Sequence, residues 1–284
     1  MRGILWRKTV SWLFVAFCAL SVILALVPLA FILFFVVARG LQALNLQFFL
    51  NTPKPVGELG GGMSHAIVGT LILIGLGALF AIPVGILSGV YMSEYQGSRS
   101  ASTIRFAADT LNGVPSIVVG IFVYGIAVLP FQQFSALAGG LALGIMMIPI
   151  IARTTEELLI LVPSTMREGA LALGATRGRA VFSVVVPAAA PGIITGVVLA
   201  LARIAGETAP LLFTALGNQF FTTKLTQPIA SLTVQVYAYA ISPYEDWHRQ
   251  AWAGALVLVT IVLLCSIFAR VATRRLEGMA RGGG

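Results

Sequence analysis

The chain is 284 residues long, 58% of its residues are hydrophobic, only 10% are charged, and its mean hydropathy is +0.96. Soluble domains carry about 25% charged residues, so this composition excludes an ordinary soluble protein and predicts a polytopic membrane protein with room for about five to seven spans. The net charge of +8 does not indicate nucleic-acid binding, because the basic residues flank hydrophobic segments and form no patch.

Six long hydrophobic segments follow one another along the chain, and we interpret each as one membrane-spanning helix. In chain order they lie near Val10–Val37, Ala66–Met92, Leu111–Leu129 and Ser135–Ile151, then from Pro187 to at least Ile204 and from Ala251 to Ala269. The first exceeds the roughly 7–15 apolar residues of a signal peptide, so we expect it to be retained. The predicted fold class is an all-α integral membrane protein with a six-span helical bundle.

Three of the predicted spans contain glycines four residues apart. Small residues at this spacing let helix backbones approach closely in lipid, so they predict a packed bundle. The pairs are Gly85/Gly89, Gly140/Gly144 and Gly192/Gly196.

The basic residues predict the orientation of the bundle. Of the 18 Lys and Arg residues, five lie on one side or in the spans: Arg39, Lys54, Arg203, Lys224 and Arg249. The remaining thirteen lie on the side of the N-terminus, which the positive-inside rule places in the cytoplasm together with the C-terminus. On that side, Glu94, Glu156 and Glu157 are expected to pair with nearby arginines such as Arg153.

The two cysteines, Cys18 and Cys265, lie inside apolar runs, and neither is near a histidine in sequence. We therefore expect buried free thiols, with no disulfide, no metal site and no cofactor.

A basic segment, Ser164–Pro187, separates the fourth and fifth predicted spans. Thr165 and Glu168 fit a capping box, which would start a short helix, and Gly174 can end it in the left-handed conformation. Thr176 can cap a second helix, with Pro187 opening the fifth span. From these residues alone the segment could lie in the lipid headgroups or insert into a groove on a partner protein.

Two charged residues, Arg203 and Glu207, interrupt the fifth hydrophobic segment. A charge at the bilayer centre costs about 2.5–3.5 kcal/mol on insertion scales, so such residues usually pair or line an aqueous path. Their spacing predicts a shared helix face, and Gly206 and Pro210 predict a break in the helix. Two interpretations stay open: an ion pair that locks helices together, or a path in which Arg203 binds an oxyanion through its guanidinium fork.

Asn112 and Ser116 flank Pro115 at the inner end of the third span, where proline predicts a kink or a late helix start. Asn112 either caps the helix or, with Ser116, lines the same path.

The basic segment resembles the EAA loop of ABC importer permeases. The family pattern is Glu-Ala-Ala, three residues, Gly, nine residues and Ile-x-Leu-Pro; the matching residues here are Glu168-Gly169-Ala170, Gly174 and Val184-x-Val186-Pro187. In that family the loop forms coupling helices that dock on the ATP-binding subunit. The resemblance therefore implies that Glu168, Gly169, Ala170, Gly174 and Pro187 couple this chain to an ATPase.

Two further stretches, Ala202–Ala215 and Asn112–Gly120, resemble the permeases of phosphate ABC importers, and the similarity extends over most of the chain from the second span. The resemblance implies a phosphate path that includes the charged pair and its neighbours: Arg203, Glu207, Thr208, Asn112 and Ser116. It also implies a bacterial inner-membrane location, a heterodimer with a second related permease, a cytoplasmic ATPase dimer and an extracytoplasmic phosphate-binding protein. The expected division is residues 1–64 with the first span, a permease core at 65–272 that contains the coupling loop 160–187, and a tail at 273–284.

Other functions are less consistent with the sequence. It has no G-x-x-x-x-G-K-[ST] motif, so we expect ATP hydrolysis on a partner. An intramembrane enzyme would need a metal motif or a Ser–His arrangement within the spans, and we expect no enzymatic activity. The alternatives that remain are an ABC permease for another oxyanion, such as molybdate or sulfate, and an ion-gradient-driven secondary transporter.

Overall fold

The computed structural model describes residues 2–55, 58 and 60–281, and its side chains are described at 6–55, 58, 60–267 and 271. This part of the chain is helical and contains no strand. The α-helices are α1 (Arg2–Ala43), α2 (Leu46–Leu50), α3 (Ser64–Glu94), α4 (Arg99–Gly113), α5 (Ser116–Val123), α6 (Leu129–Phe131), α7 (Ala136–Ile160), α8 (Ser164–Ala172), α9 (Arg177–Ala180), α10 (Val186–Ala205), α11 (Ala209–Thr214), α12 (Leu232–Ala240) and α13 (Glu245–Arg281). π-Helical segments join α5 to α6 (Tyr124–Val128) and α9 to α10 (Val181–Val185).

Five helical stretches of the described chain are long and apolar enough to cross a membrane: α1 from Trp6, α3, α7, the continuous helix from α9 through α10, and α13 as far as Ile267. A sixth crossing is available if the bent pair formed by α4 and α5–α6 is one broken span. The multi-span prediction is therefore confirmed, and the sixth span depends on this bent pair.

The third predicted span, Leu111–Leu129, is wrong as a single helix. The chain bends by 106° between α4 and the helix that starts at Ser116. Val114 has ψ 130°, an extended conformation, because Pro115 crowds the residue that precedes it and disfavours the helical region there. The predicted effect of Pro115 is therefore confirmed, but residues 111–113 belong to α4.

Helix α7 lies at the centre of the bundle. Within its most apolar window 61% of residues are buried, against 6% in α1. The predicted glycine pairs all lie at its contacts: Gly85 and Gly89 of α3 meet Ile151 and Thr155, Gly140 and Gly144 of α7 meet Leu76 and Phe80, and Gly192 and Gly196 of α10 meet Leu158 and Thr154. The prediction of close packing is confirmed, and α7 holds α3 on one side and α10 on another.

Charged side chains fasten α4 to α7 near the bend. Glu156 is 1% exposed and accepts hydrogen bonds from Arg105 of α4 and from Arg153 of its own helix. Arg153 also reaches back to α4, with Nε 2.9 Å from Asp109 Oδ1, and its Nη2 lies 3.9 Å from Glu157. The expected pairing of Glu156 and Glu157 with Arg153 is confirmed.

The outer parts of the bundle differ from the predictions in three respects. Cys18 and Cys265 are free but exposed on the surface of this chain, because they lie on the outward faces of α1 and α13. The fifth span begins at α9, ten residues before Pro187, and the sixth begins at Glu245. Helix α13 continues to Arg281, through most of the predicted tail, and residues 282–284 lie outside the described residues.

Candidate functional site

The candidate path centres on a break between α10 and α11. Helix α10 ends at Ala205, and the N–H groups of Gly206 and Glu207 donate to the carbonyls of Arg203 and Ile204, at 3.3 and 3.1 Å. Helix α11 then starts at Ala209, with Pro210 in its first turn, where proline's missing N–H needs no partner. The broken helix predicted from Gly206 and Pro210 is confirmed.

The break separates the two charged residues of the fifth segment. Arg203 is exposed in the last turn of α10, whereas Glu207 is half-buried and lies beyond the helix end. The prediction that they share a helix face is wrong, because the helix ends between them. Among the described residues, Arg203 and Glu207 form no ion pair with each other.

A side-chain hydrogen bond from α12 holds this break. Thr233 Oγ1 donates to the carbonyl of Glu207 at 2.9 Å, although the two residues are 26 positions apart. Helix α12 begins directly after Ser231, whose Oγ accepts from the N–H of Val234 at 3.3 Å. The sequence does carry a signal for this helix, the N-cap serine directly before Leu232.

The α4–α5 bend lies against the same break. Gly120 of α5 packs on Pro210, and a Cβ added at Gly120 would lie 2.6 Å from the Cα of Pro210. The two stretches that resemble phosphate permeases are thus in direct contact.

The structure distinguishes the other predicted path residues. Ser116 is half-buried as the first residue of α5, one turn before Gly120. Thr208 is half-buried and directly precedes α11. Asn112 is exposed near the C-terminal end of α4, so it does not cap α5; that helix begins after Pro115 without a side-chain cap.

The predicted coupling segment folds as helix, glycine turn, helix. Helix α8 ends in a Schellman motif: the N–H of Gly174 donates to Leu171 at 2.9 Å and that of Ala175 to Ala170 at 3.1 Å. Gly174 has φ +82°, the left-handed conformation that its position predicts. Thr176 caps α9 by accepting from Arg179 N at 3.4 Å, which confirms the predicted second helix.

The start of α8 differs from its prediction. The helix begins at Ser164, after Pro163, and has no side-chain cap, so the Thr165–Glu168 capping box is wrong. The reason is that proline already fixes the preceding backbone, which moves Thr165 inside the first turn.

The predicted coupling residues form an outward-facing surface. Glu168, Gly169, Gly174 and Pro187 are exposed, and Ala170 is half-buried. Beside them Leu173 is 91% exposed, and a Cβ at Gly169 or Gly174 would have no atom within 4 Å. The segment therefore presents small and apolar groups that this chain leaves uncovered.

Comparisons with known proteins agree with this architecture. Residues 81–278 match the family described as "Binding-protein-dependent transport system inner membrane component". The chain is 44% identical over 268 residues to the phosphate transport system permease protein PstA of Haemophilus influenzae, which covers 94% of each chain. It is 37% identical over 265 residues to the phosphate transport system permease protein PstA 1 of Mycobacterium tuberculosis, which covers 90% of this chain and 87% of that protein.

Solved structures show the same fold at low sequence identity. A chain of the inward-facing MetNI methionine ABC transporter matches with a TM-score of 0.62 and 20% identity, over 75% of this chain and 97% of that one. A chain of a bacterial alginate ABC transporter, solved with its pentasaccharide-bound periplasmic protein, matches with a TM-score of 0.68 and 16% identity, over 93% and 95%. The all-helical fold is therefore that of ABC importer permeases. The chain belongs to the family of binding-protein-dependent transport system inner membrane components and, within it, to the PstA permeases.

Proposed function

We propose that this chain is the permease subunit of an ATP-driven phosphate importer of the bacterial inner membrane, with both termini in the cytoplasm. The relatives named above are phosphate transport permeases. The observation that carries the proposal is the α10–α11 break, which follows an exposed Arg203 directly and packs through Pro210 on α5. Backbone irregularity inside a membrane is tolerated where it is buried in protein or lines a cavity.

Arg203 supplies the chemistry for an anion in this path. Its planar guanidinium can donate paired hydrogen bonds to phosphate oxygens. Its side chain lies on a face that this chain leaves open, where a second, related permease of a heterodimer would complete the path. Glu207, four residues further on, opposes tight anion binding, which suits a path that must release its cargo; Thr208, Ser116 and Asn112 add polar groups.

The coupling segment transmits the movement driven by ATP hydrolysis from the ATPase to this chain. Glu168, Gly169, Ala170, Gly174 and Pro187 would contact a cytoplasmic ATPase dimer, and a phosphate-binding protein would deliver cargo from outside. ATP hydrolysis takes place on the partner and not on this chain. In this scheme residues 65–272 are the permease core, the loop 160–187 transmits movement, and residues 1–64 and 273–284 flank it.

The test is uptake of labelled phosphate, sulfate and molybdate by cells that co-express the partners. Arg203→Gln is expected to abolish phosphate uptake while the complex still assembles, whereas Arg39→Gln, which changes an exposed arginine in α1, serves as the matched control. Normal phosphate uptake by Arg203→Gln would refute the path. Uptake of sulfate or molybdate in place of phosphate would refute the cargo.

A second test concerns coupling. Glu168→Ala is expected to abolish the stimulation of ATP hydrolysis by the phosphate-loaded binding protein, with insertion of the permease unchanged. Unaltered stimulation would refute the coupling role of Glu168.

A further inference from the structure

Three buried hydroxyl groups connect α3 to the α10–α11 break. Thr70, Ser231 and Thr233 are 4%, 2% and 6% exposed. Thr70 Oγ1 accepts from the N–H of Leu232 at 2.8 Å, and Thr233 Oγ1 donates to the carbonyl of Glu207 at 2.9 Å. The side chains of Ser231 and Thr233 lie 3.3 Å apart, so the hydroxyls span from α3 to the break through the start of α12.

The hydrogen bonds of this network are mutually consistent. Thr70 donates its own proton to Ala66 O at 2.8 Å, which leaves its oxygen to accept from Leu232. Thr233 uses its single proton on Glu207, so between the two neighbouring hydroxyls Ser231 is the donor and Thr233 the acceptor. Each hydroxyl proton of the network therefore has one acceptor.

The carbonyl of Glu207 needs such a donor. It lies after the end of α10 and before the start of α11, so neither helix supplies an N–H for it. Glu207 is half-buried, and a carbonyl that loses water on burial without gaining a partner is costly. Thr233 is the side chain that satisfies it.

The start of α12 has little freedom to move. A Cβ at Gly69 of α3 would collide with the carbonyl oxygen of Ala230, so only glycine permits this approach. Helix α3 in turn packs along α7. The hydroxyl of Thr233 is therefore held in place by contacts with the most buried part of the bundle.

We infer that Thr233 is a positioning residue of the anion path: it fixes the backbone of Glu207 and hence where that carboxylate lies relative to Arg203. The inference rests on the proposed function, because it assigns Thr233 a role in the same path.

Three variants test the inference, with uptake measured per assembled complex. Thr233→Val keeps the shape of the side chain and removes the donor; we expect it to lower the maximal rate of phosphate uptake by about tenfold. Thr233→Ser restores the hydroxyl and should restore uptake. Thr195→Val is the matched control, because Thr195 Oγ1 donates only to Pro191 O of its own helix, at 3.0 Å, and uptake should be unchanged.

A double-mutant cycle with Glu207→Gln separates a failure of the positioning role of Thr233 from a failure of the proposed anion path. If Thr233 acts through Glu207, Thr233→Val adds little to the loss that Glu207→Gln causes. Normal uptake by Glu207→Gln would refute the role of Glu207 in the path. If Glu207→Gln lowers uptake and Thr233→Val adds its full effect to that loss, Thr233 does not act through Glu207 and its positioning role is refuted. Failure of Thr233→Val to assemble, or failure of Thr233→Ser to recover uptake, would also refute that role.

Discussion

Glu94 and Arg167 form an ion pair in which Oε1 lies 2.7 Å from Nη2, and this pair joins the C-terminal end of α3 to α8. Their side chains are 19% and 31% exposed, so solvent screens the pair only in part. Arg167 directly precedes Glu168 of the proposed coupling segment. A force applied to α8 therefore reaches α3 through a side-chain contact as well as through the chain.

Glu94→Gln is expected to lower ATP-driven phosphate uptake by a few-fold, because α8 then loses its charged attachment to α3. Phosphate uptake and binding-protein-stimulated ATP hydrolysis, measured on the same preparation, check this. The exposed pair Lys54–Glu58, 3.9 Å apart, provides the control through Glu58→Gln, since such surface pairs contribute roughly 0–1 kcal/mol.

Exchanging the two charges makes this test more specific. Glu94→Arg alone and Arg167→Glu alone should both impair uptake, and the double variant should recover part of it. A double variant that is no better than the singles would show that the pair does not carry the link.

Gly174 and Gly169 should respond oppositely to alanine. Gly174 has φ +82°, where a Cβ costs about 1–2 kcal/mol, so Gly174→Ala should distort the end of α8 and reduce ATPase stimulation. Gly169 lies inside α8 with no atom of this chain within 4 Å of an added Cβ, so Gly169→Ala should stabilise the helix by about 0.8–1 kcal/mol and keep the turn at Gly174 intact. Stimulated ATP hydrolysis compares the variants, and equal activities would contradict the role of the turn.

Local backbone rules explain which parts of this fold could be predicted from the sequence. Gly174, Thr176 and the Gly206–Pro210 break were predictable because each follows from the conformational limits of one or two residues. The capping box failed because the helix starts after Pro163, two residues earlier than Thr165 as N-cap predicts.

The part of the site that could not be predicted from the sequence depends on contacts between distant segments. Thr233 meets Glu207 only after α12 folds back against α3, and no local pattern encodes that contact. The shared face of Arg203 and Glu207 was predicted by helical spacing, which no longer applies once the helix ends at Ala205.

Glu156 should matter more for stability than its neighbour Glu157. The Glu156 side chain is 2% exposed between Arg105 and Arg153, and removing one partner of a buried ion pair typically costs about 3–5 kcal/mol. Glu156→Ala should therefore lower the midpoint of thermal unfolding of the purified complex well below that of the wild type.

Glu157→Ala is the control for that measurement. Its side chain is 67% exposed and lies 3.9 Å from Arg153, so the midpoint should hardly change. A similar midpoint for both variants would show that the charges do not fasten α4 to α7.

Gly120 provides the most direct test of the contact between α5 and α11. A methyl group at Gly120 would lie 2.6 Å from the Cα of Pro210, and a backbone atom cannot move aside as a side-chain end can. Gly120→Ala must therefore push α11 away from α5 and disturb the break beside Arg203, which should lower phosphate uptake at least several-fold. Gly125→Ala is a closely matched control, because Gly125 lies five residues further along the same helical segment and an added Cβ there meets no atom within 4 Å. Loss of uptake in Gly120→Ala with normal assembly and normal Gly125→Ala would show that transport depends on this contact. Equal uptake by the two variants would show that the path tolerates separation of α5 and α11, and the break would then not need its packing against α5 to pass anions.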